Sequence, residues 1–249
     1  MTDGTAAGTK EITVSGAGTS GLDPNHLTVF GNKVIFAGGE DSVWVTDGTS
    51  SGTRELISRT TPPLLFPVDP HFTAFGGIAL FRADDAPGGL NLWVTDGTSA
   101  GTSELNVAGH GSFGLGSAVN PDFTAVGNLV LFDGPDASGH FGLWVTNGTS
   151  AGTSELTVSR ASSQGLFGSL NPEFTVLGNE VVFEGYDSTH PEPNLWVTDG
   201  TVAGTTELNV AGAFSNGLLD VVNPDLTLFG NKVLFFGRRR GRPYRPLDH

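Results

Sequence analysis

The chain has no cysteine in 249 residues. Disulfides and thiolate metal sites are therefore excluded, and redox compartment is left open. No run approaches 18 apolar residues, so a membrane-crossing helix is not expected. Basic residues are few, 12 Lys and Arg against 26 Asp and Glu, for a net charge of −14. Five of those Arg sit in Arg238–His249 beside a single Asp, which leaves the rest of the chain more acidic still. An acidic body repels phosphate and argues against a nucleic-acid partner. It suits solubility, cation binding or secretion into salt. The first residues lack the basic and apolar regions of a signal peptide, so no leader is expected there. Gly-x-Ser-x-Gly, His-Glu-x-x-His, a phosphate loop and a Cys nucleophile are all missing, and with them the standard catalytic signatures.

Repetition is plentiful. Trp-Val-Thr-Asp-Gly-Thr stands at Trp44–Thr49, Trp93–Thr98 and Trp196–Thr201, and at Trp144–Thr149 with Asn147 for Asp. A fifth copy, Thr2-Asp3-Gly4-Thr5, follows Met1 directly. Each copy is followed by Gly-Thr, one more residue, then Glu and Leu or Ile. The first Thr falls at 2, 46, 95, 146 and 198. A period near 50 built from short strands predicts a propeller or similar circular array.

Each unit offers four strands. The first follows Pro, as in Phe72–Phe75, Phe123–Val126 and Phe174–Leu177, and ends at a Gly-Asn or Gly-Gly turn suited to a tight hairpin. The second is wholly apolar (Val34-Ile35-Phe36, Ala79-Leu80-Phe81, Val130-Leu131-Phe132, Val181-Val182-Phe183, Val233-Leu234-Phe235), the mark of a strand covered on both faces. The third carries the Trp. The fourth follows the Asp-Gly-Thr turn and alternates polar with apolar, as an edge strand does. The expectation is an all-β fold, one five-bladed β-propeller of four-stranded antiparallel blades over 1–249. Its blades span about 23–57, 69–107, 120–158, 171–210, and 223–249 plus 9–14. The N-terminal strand and C-terminal segment close the last blade, where Asp248 stands in the Trp register.

These residues resemble repeats of many large bacterial secreted or surface proteins, of the form Leu-Trp-x-Thr-Asp-Gly-Thr-x-x-Gly-Thr with an acidic Phe-x-x-x-Asp loop before the Trp. Here the loop reads Phe81…Asp85, Phe132…Asp136 and Phe183…Asp187, with Glu40 and Asp41 after Phe36. The resemblance covers nearly all of residues 1–237. It implies propeller blades, a bacterial origin and an extracellular or cell-surface setting, and it implies no single activity. Architecture alone is also similar to tachylectin-type five-bladed lectins and to some glycoside hydrolases.

Positions shared by all units are expected to be structural. Asp47, Asp96, Asn147 and Asp199 belong to turns, as do Asp41, Asp85, Asp136 and Asp187. Glu11, Glu55, Glu104, Glu155 and Glu207 are expected as solvated edge charges. The position that differs follows the Pro of the first strand and reads His26 (with one extra residue, Asn25, after Pro24), His71, Asp122, Glu173 and Asp225. Two imidazoles and three carboxylates at a tunnel mouth make a candidate site for a divalent metal (Ca, Zn or Mn), or an acid/base set. The long loops between units bring Phe66, His110, Phe113, Phe167 and Phe214 as candidate ligand-binding residues. The leading expectation is a non-enzymatic, lectin-like monomer that binds carbohydrate or another small molecule. The alternatives are a hydrolase or lyase at the axial set, and a structural repeat array from a larger secreted protein.

Overall fold

The computed structural model describes the chain except for residues 16, 19–20, 40–41, 58–63, 66–68, 86–88, 118–120, 212, 214, 220–223 and 238–249. Strands follow the repeats. The first sheet is β1 (Asn25–Phe30), β2 (Lys33–Gly38), β3 (Ser42–Thr46) and β4 (Arg54–Ile57). The second contains β5 (Leu64–Leu65), β6 (Thr73–Phe75), β7 (Ile78–Asp85), β8 (Leu90–Thr95) and β9 (Ser103–Glu104). The third is β10 (Thr124–Val126), β11 (Leu129–Pro135), β12 (Phe141–Thr146) and β13 (Thr153–Glu155), and the fourth β14 (Thr175–Leu177), β15 (Glu180–Gly185), β16 (Asn194–Thr198) and β17 (Thr206–Glu207). The last sheet has only β18 (Thr227–Phe229) and β19 (Lys232–Leu234).

Three sheets run in simple sequential order, and the second adds β5 beside β7. Every pairing is antiparallel, with Phe36 opposite Trp44, Phe81 opposite Trp93 and Phe183 opposite Trp196. The rings stack in Phe81–Trp93, Phe132–Trp144 and Phe183–Trp196, the second at 6.3 Å and 24°. The chain is thus all-β and built of several four-stranded antiparallel sheets. Among the described residues there are five sheets, the last with two strands rather than four. Residues 9–14, expected as a closing strand, have no strand partner, because no described third strand stands beside them. The C-terminal segment lies outside the described residues.

The chain divides into two compact units. One is Met1–Ser117 with Gly127–Leu129 and Thr146–Thr153; the other is Ala118–Val126, Val130–Val145 and Ser154–His249. In the first, Phe30, Ile35, Val43, Val45 and Leu56 pack with Phe72, Ala79 and Phe81, so one apolar core joins the first two sheets. In the second, Val182, Leu195, Leu218 and Leu219 form a core with Leu226, Val233 and Phe235 against it.

The Thr-Asp-Gly-Thr element is a self-bonded turn. Asp47 Oδ1 accepts the N–H and the hydroxyl of Thr49 at 2.9 and 2.7 Å. The Thr49 hydroxyl accepts the Gly52 N–H at 2.9 Å, and the Thr46 and Thr53 hydroxyls meet at 2.6 Å. The same bonds recur around Asp96, Asn147, Asp199 and even Asp3. The following Gly is required by contact: a Cβ on Gly101 would lie 2.2 Å from Asp96 Cγ.

Candidate functional site

The residue after Pro, or two after it at His26, stands at the entry to the first strand in a left-handed conformation. His26, His71, Asp122, Glu173 and Asp225 have φ between 49° and 54°. This backbone disfavours most side chains, and Asp and His are among those that tolerate it. Conformation is therefore one reason for the unusual residue types there. Their side chains also tie consecutive repeats together. Asp122 Oδ2 accepts the Phe174 N–H at 2.9 Å, and Glu173 Oε2 accepts the Leu226 N–H at 3.1 Å. His26 Nδ1 lies 3.3 Å from Asp69 Oδ1, which also accepts the His71 N–H at 2.8 Å. Asp225 is exposed. His26 and His71 belong to one compact unit and the three acids to the other.

The second strand holds what pattern reading passed over. The residue after its Phe turns to the opposite side of the sheet, and reads Ala37, Arg82, Asp133, Glu184 and Phe236. Arg82, Asp133 and Glu184 are only 6%, 5% and 3% exposed. Their backbone N–H groups bond the Pro carbonyl of the first strand: Arg82 to Pro70, Asp133 to Pro121, Glu184 to Pro172. Arg82 settles its charge locally, donating Nη1 to the Gly116 carbonyl and Nε to the Asp69 carbonyl, both at 3.2 Å. Burial, with the Arg82 charge adding to it, pushes the neighbouring His71 down.

The acids are different. Asp133 Oδ1 and Glu184 Oε2 are buried with no hydrogen-bond partner. Burial raises both carboxyls to about 8, and the nearby Asp122 and Glu173, respectively, add to the effect. Burial also raises Asp122, against the bond from Phe174. Each pair thus joins a buried carboxyl to a half-buried one. An orphaned buried acceptor costs about 1–3 kcal/mol, a cost a bound donor would remove. The sequence carries a signal for this position, because the same register changes from apolar to basic to acidic between repeats.

A second cluster forms where the Phe-x-x-x-Asp loop meets the fourth strand. Asp187 accepts from Thr189 N (2.5 Å), Thr189 Oγ1 (2.8 Å), His190 N (2.7 Å), His190 Nδ1 (2.5 Å) and Asn194 Nδ2 (2.7 Å). Burial opposes its charge, but these donors outweigh it and hold the carboxyl well below the usual range. Glu207 was expected as a solvated edge charge, yet its side chain is 5% exposed, with Arg160 Nη2 3.2 Å from Oε2. The correction has a plain cause: Glu207 sits opposite Trp196 and under the loop. Asp187, His190 and Glu207 offer ligand atoms within 4.8 Å of one another, the one such trio among the described residues. Asp187 already accepts five bonds, and Arg160 supplies the positive charge. These contacts offset part of the charge of its two acids.

Of the loop residues, Phe113 is 78% exposed and His110 half-buried, its Nδ1 2.7 Å from the Gly111 carbonyl oxygen. Phe167 is fully buried, its ring against Phe174 and Phe183. Phe66 and Phe214 lie outside the described residues. No described helix is long and apolar enough to cross a membrane.

No family profile matches the chain, and no curated protein does. Among solved structures it is similar to a puromycin hydrolase (14% identity, TM-score 0.45, 76% of this chain) and spans 29% of that chain. It is similar to a putative TolB from Agrobacterium tumefaciens (15%, 0.38, covering 76% of this chain and 68% of that one). A third is the β-propeller domain of the trilobed protease from Pyrococcus furiosus (14%, 0.39, covering 80% and 60%).

Proposed function

We propose that the chain is a non-enzymatic β-propeller module that binds a carbohydrate or a similarly hydroxyl-rich small molecule. The blade reading is supported by a period near 50 and by successive sheets of one antiparallel order. The observation that carries the binding reading is the pair of orphaned acceptors, Asp133 Oδ1 and Glu184 Oε2. With pKa values near 8 both acids are mostly neutral at pH 7, and a neutral carboxyl offers one donor and one acceptor. Sugar hydroxyls offer the same combination. Phe113, in the other unit, is a separate apolar contact of the kind a sugar ring covers.

A glycan array followed by calorimetry tests this. The expected result is a saturable glycan ligand whose affinity falls at least tenfold in Asp133→Leu and in Glu184→Met. No ligand, or one indifferent to both changes, leaves the structural-array reading in its place. The enzymatic reading rests on unequal carboxyls side by side, an arrangement suited to acid/base work. Turnover of the bound glycan, lost in Asp122→Asn and Asp133→Asn, would favour it; metal analysis of His26→Ala with His71→Ala addresses the metal version.

A further inference from the structure

We propose that the outer edge of β19 is a docking edge for an extended segment of Leu-Trp-Val-Thr type, supplied in trans by another repeat of this kind. The last hairpin repeats the fourth sheet residue for residue. Thr227↔Leu234, Leu228↔Val233 and Phe229↔Lys232 match Thr175↔Val182, Val176↔Val181 and Leu177↔Glu180. In the fourth sheet the far side of β15 is taken by β16, with Val181 opposite Thr198, Val182 opposite Val197 and Phe183 opposite Trp196. Among the described residues, nothing pairs with the corresponding side of β19.

The surface records that difference. Val182 is 4% exposed and Glu184 3%, whereas Leu234 is 54% and Phe236 74%. Leu228 and Phe229 add 52% and 70% on β18. A strand edge flanked by apolar side chains takes an extended partner readily, main-chain bonds supplying affinity and side-chain pockets specificity. The partner's chemistry follows from the three Trp-bearing strands whose stacking is intact. Phe235 holds the register of Phe183, whose ring stacks on Trp196 at 6.5 Å and 18°. The complementary strand therefore carries a Trp opposite Phe235, with Leu before it and Val after it.

The probe is a labelled peptide with the sequence of residues 194–201, Asn-Leu-Trp-Val-Thr-Asp-Gly-Thr, added to the full chain. Fluorescence anisotropy is expected to show saturable binding, and amide exchange to slow across residues 232–236. Replacing the peptide's Trp by Ala is expected to weaken binding at least tenfold, as truncation of a buried aromatic anchor does. On the protein, Phe235→Leu keeps the hairpin apolar but removes the stacking surface, and several-fold weaker binding is expected. Absence of saturable binding overturns the proposal, as does equal binding of the Trp-to-Ala peptide. Exchange at 232–236 that, in the monomer without peptide, is already as slow as at 180–184 also overturns it and assigns the edge to another part of the same chain.

Discussion

Asp133 and Glu184 set the chemistry at the scale of single residues. Both fold into places where the carboxyl is held near 8, far above the unfolded value of about 4. Between those limits the folded chain binds more protons than the unfolded one, so their contribution is complete below about pH 4 and is lost as pH rises toward 8. The thermal midpoint is expected to fall between pH 5 and pH 8, and Asp133→Asn with Glu184→Gln to flatten that slope. Differential scanning calorimetry across that range checks it. A glycine pair checks the packing. Gly127 has a φ of 58° and open space around it, so Gly127→Ala meets only backbone strain of about 1–2 kcal/mol. Gly165 has a φ of 94° and would place a Cβ 2.4 Å from the Phe141 carbonyl oxygen, which cannot swing aside. Gly165→Ala adds overpacking of about 1–3 kcal/mol and is expected to show the larger loss in denaturant melts.

At the scale of elements, the repeating turn explains most of what could be read from sequence. Thr, Asp, Gly and Thr each make a named bond or contact in the turn, so the motif marks the third strand, the turn and the fourth strand together. Strands β2, β7, β11 and β15 were legible for the same reason, as apolar runs ending in the Phe that meets a Trp. The site was harder to read. His26, His71, Asp122, Glu173 and Asp225 stood out because ligand-type residues are rare at strand openings, but a left-handed backbone selects Asp and His there whatever the function. Glu207 looked exposed because an edge strand alternates; only the folded loop shows that it is covered. Arg160 carries a related cost, with a φ of 75° where Gly109 stands at 87° in the preceding loop. Arg160→Gly relieves about 1 kcal/mol of strain yet leaves the buried Glu207 without its cation. A lower thermal midpoint is expected for the single change, with recovery in Arg160→Gly plus Glu207→Gln.

At the scale of the whole chain, a shared framework carries a few positions that differ. The self-bonded turn recurs in every copy, the Phe–Trp stack in three repeats, and the bond from one first strand to the next at Asp122 and Glu173. Charge at the position after the second-strand Phe differs between repeats. Arg82 donates to two carbonyls, whereas Asp133 and Glu184 each keep a buried acceptor without a hydrogen-bond partner. Replacing an orphaned buried acid by an apolar side chain of similar size is neutral or stabilising by about 1–3 kcal/mol, so binding and stability are expected to move in opposite directions. Asp133→Leu, measured for both glycan affinity by calorimetry and thermal midpoint at pH 7, tests this most directly. An unchanged or higher midpoint with at least tenfold weaker binding is the predicted result. A lower midpoint with unchanged affinity would contradict it.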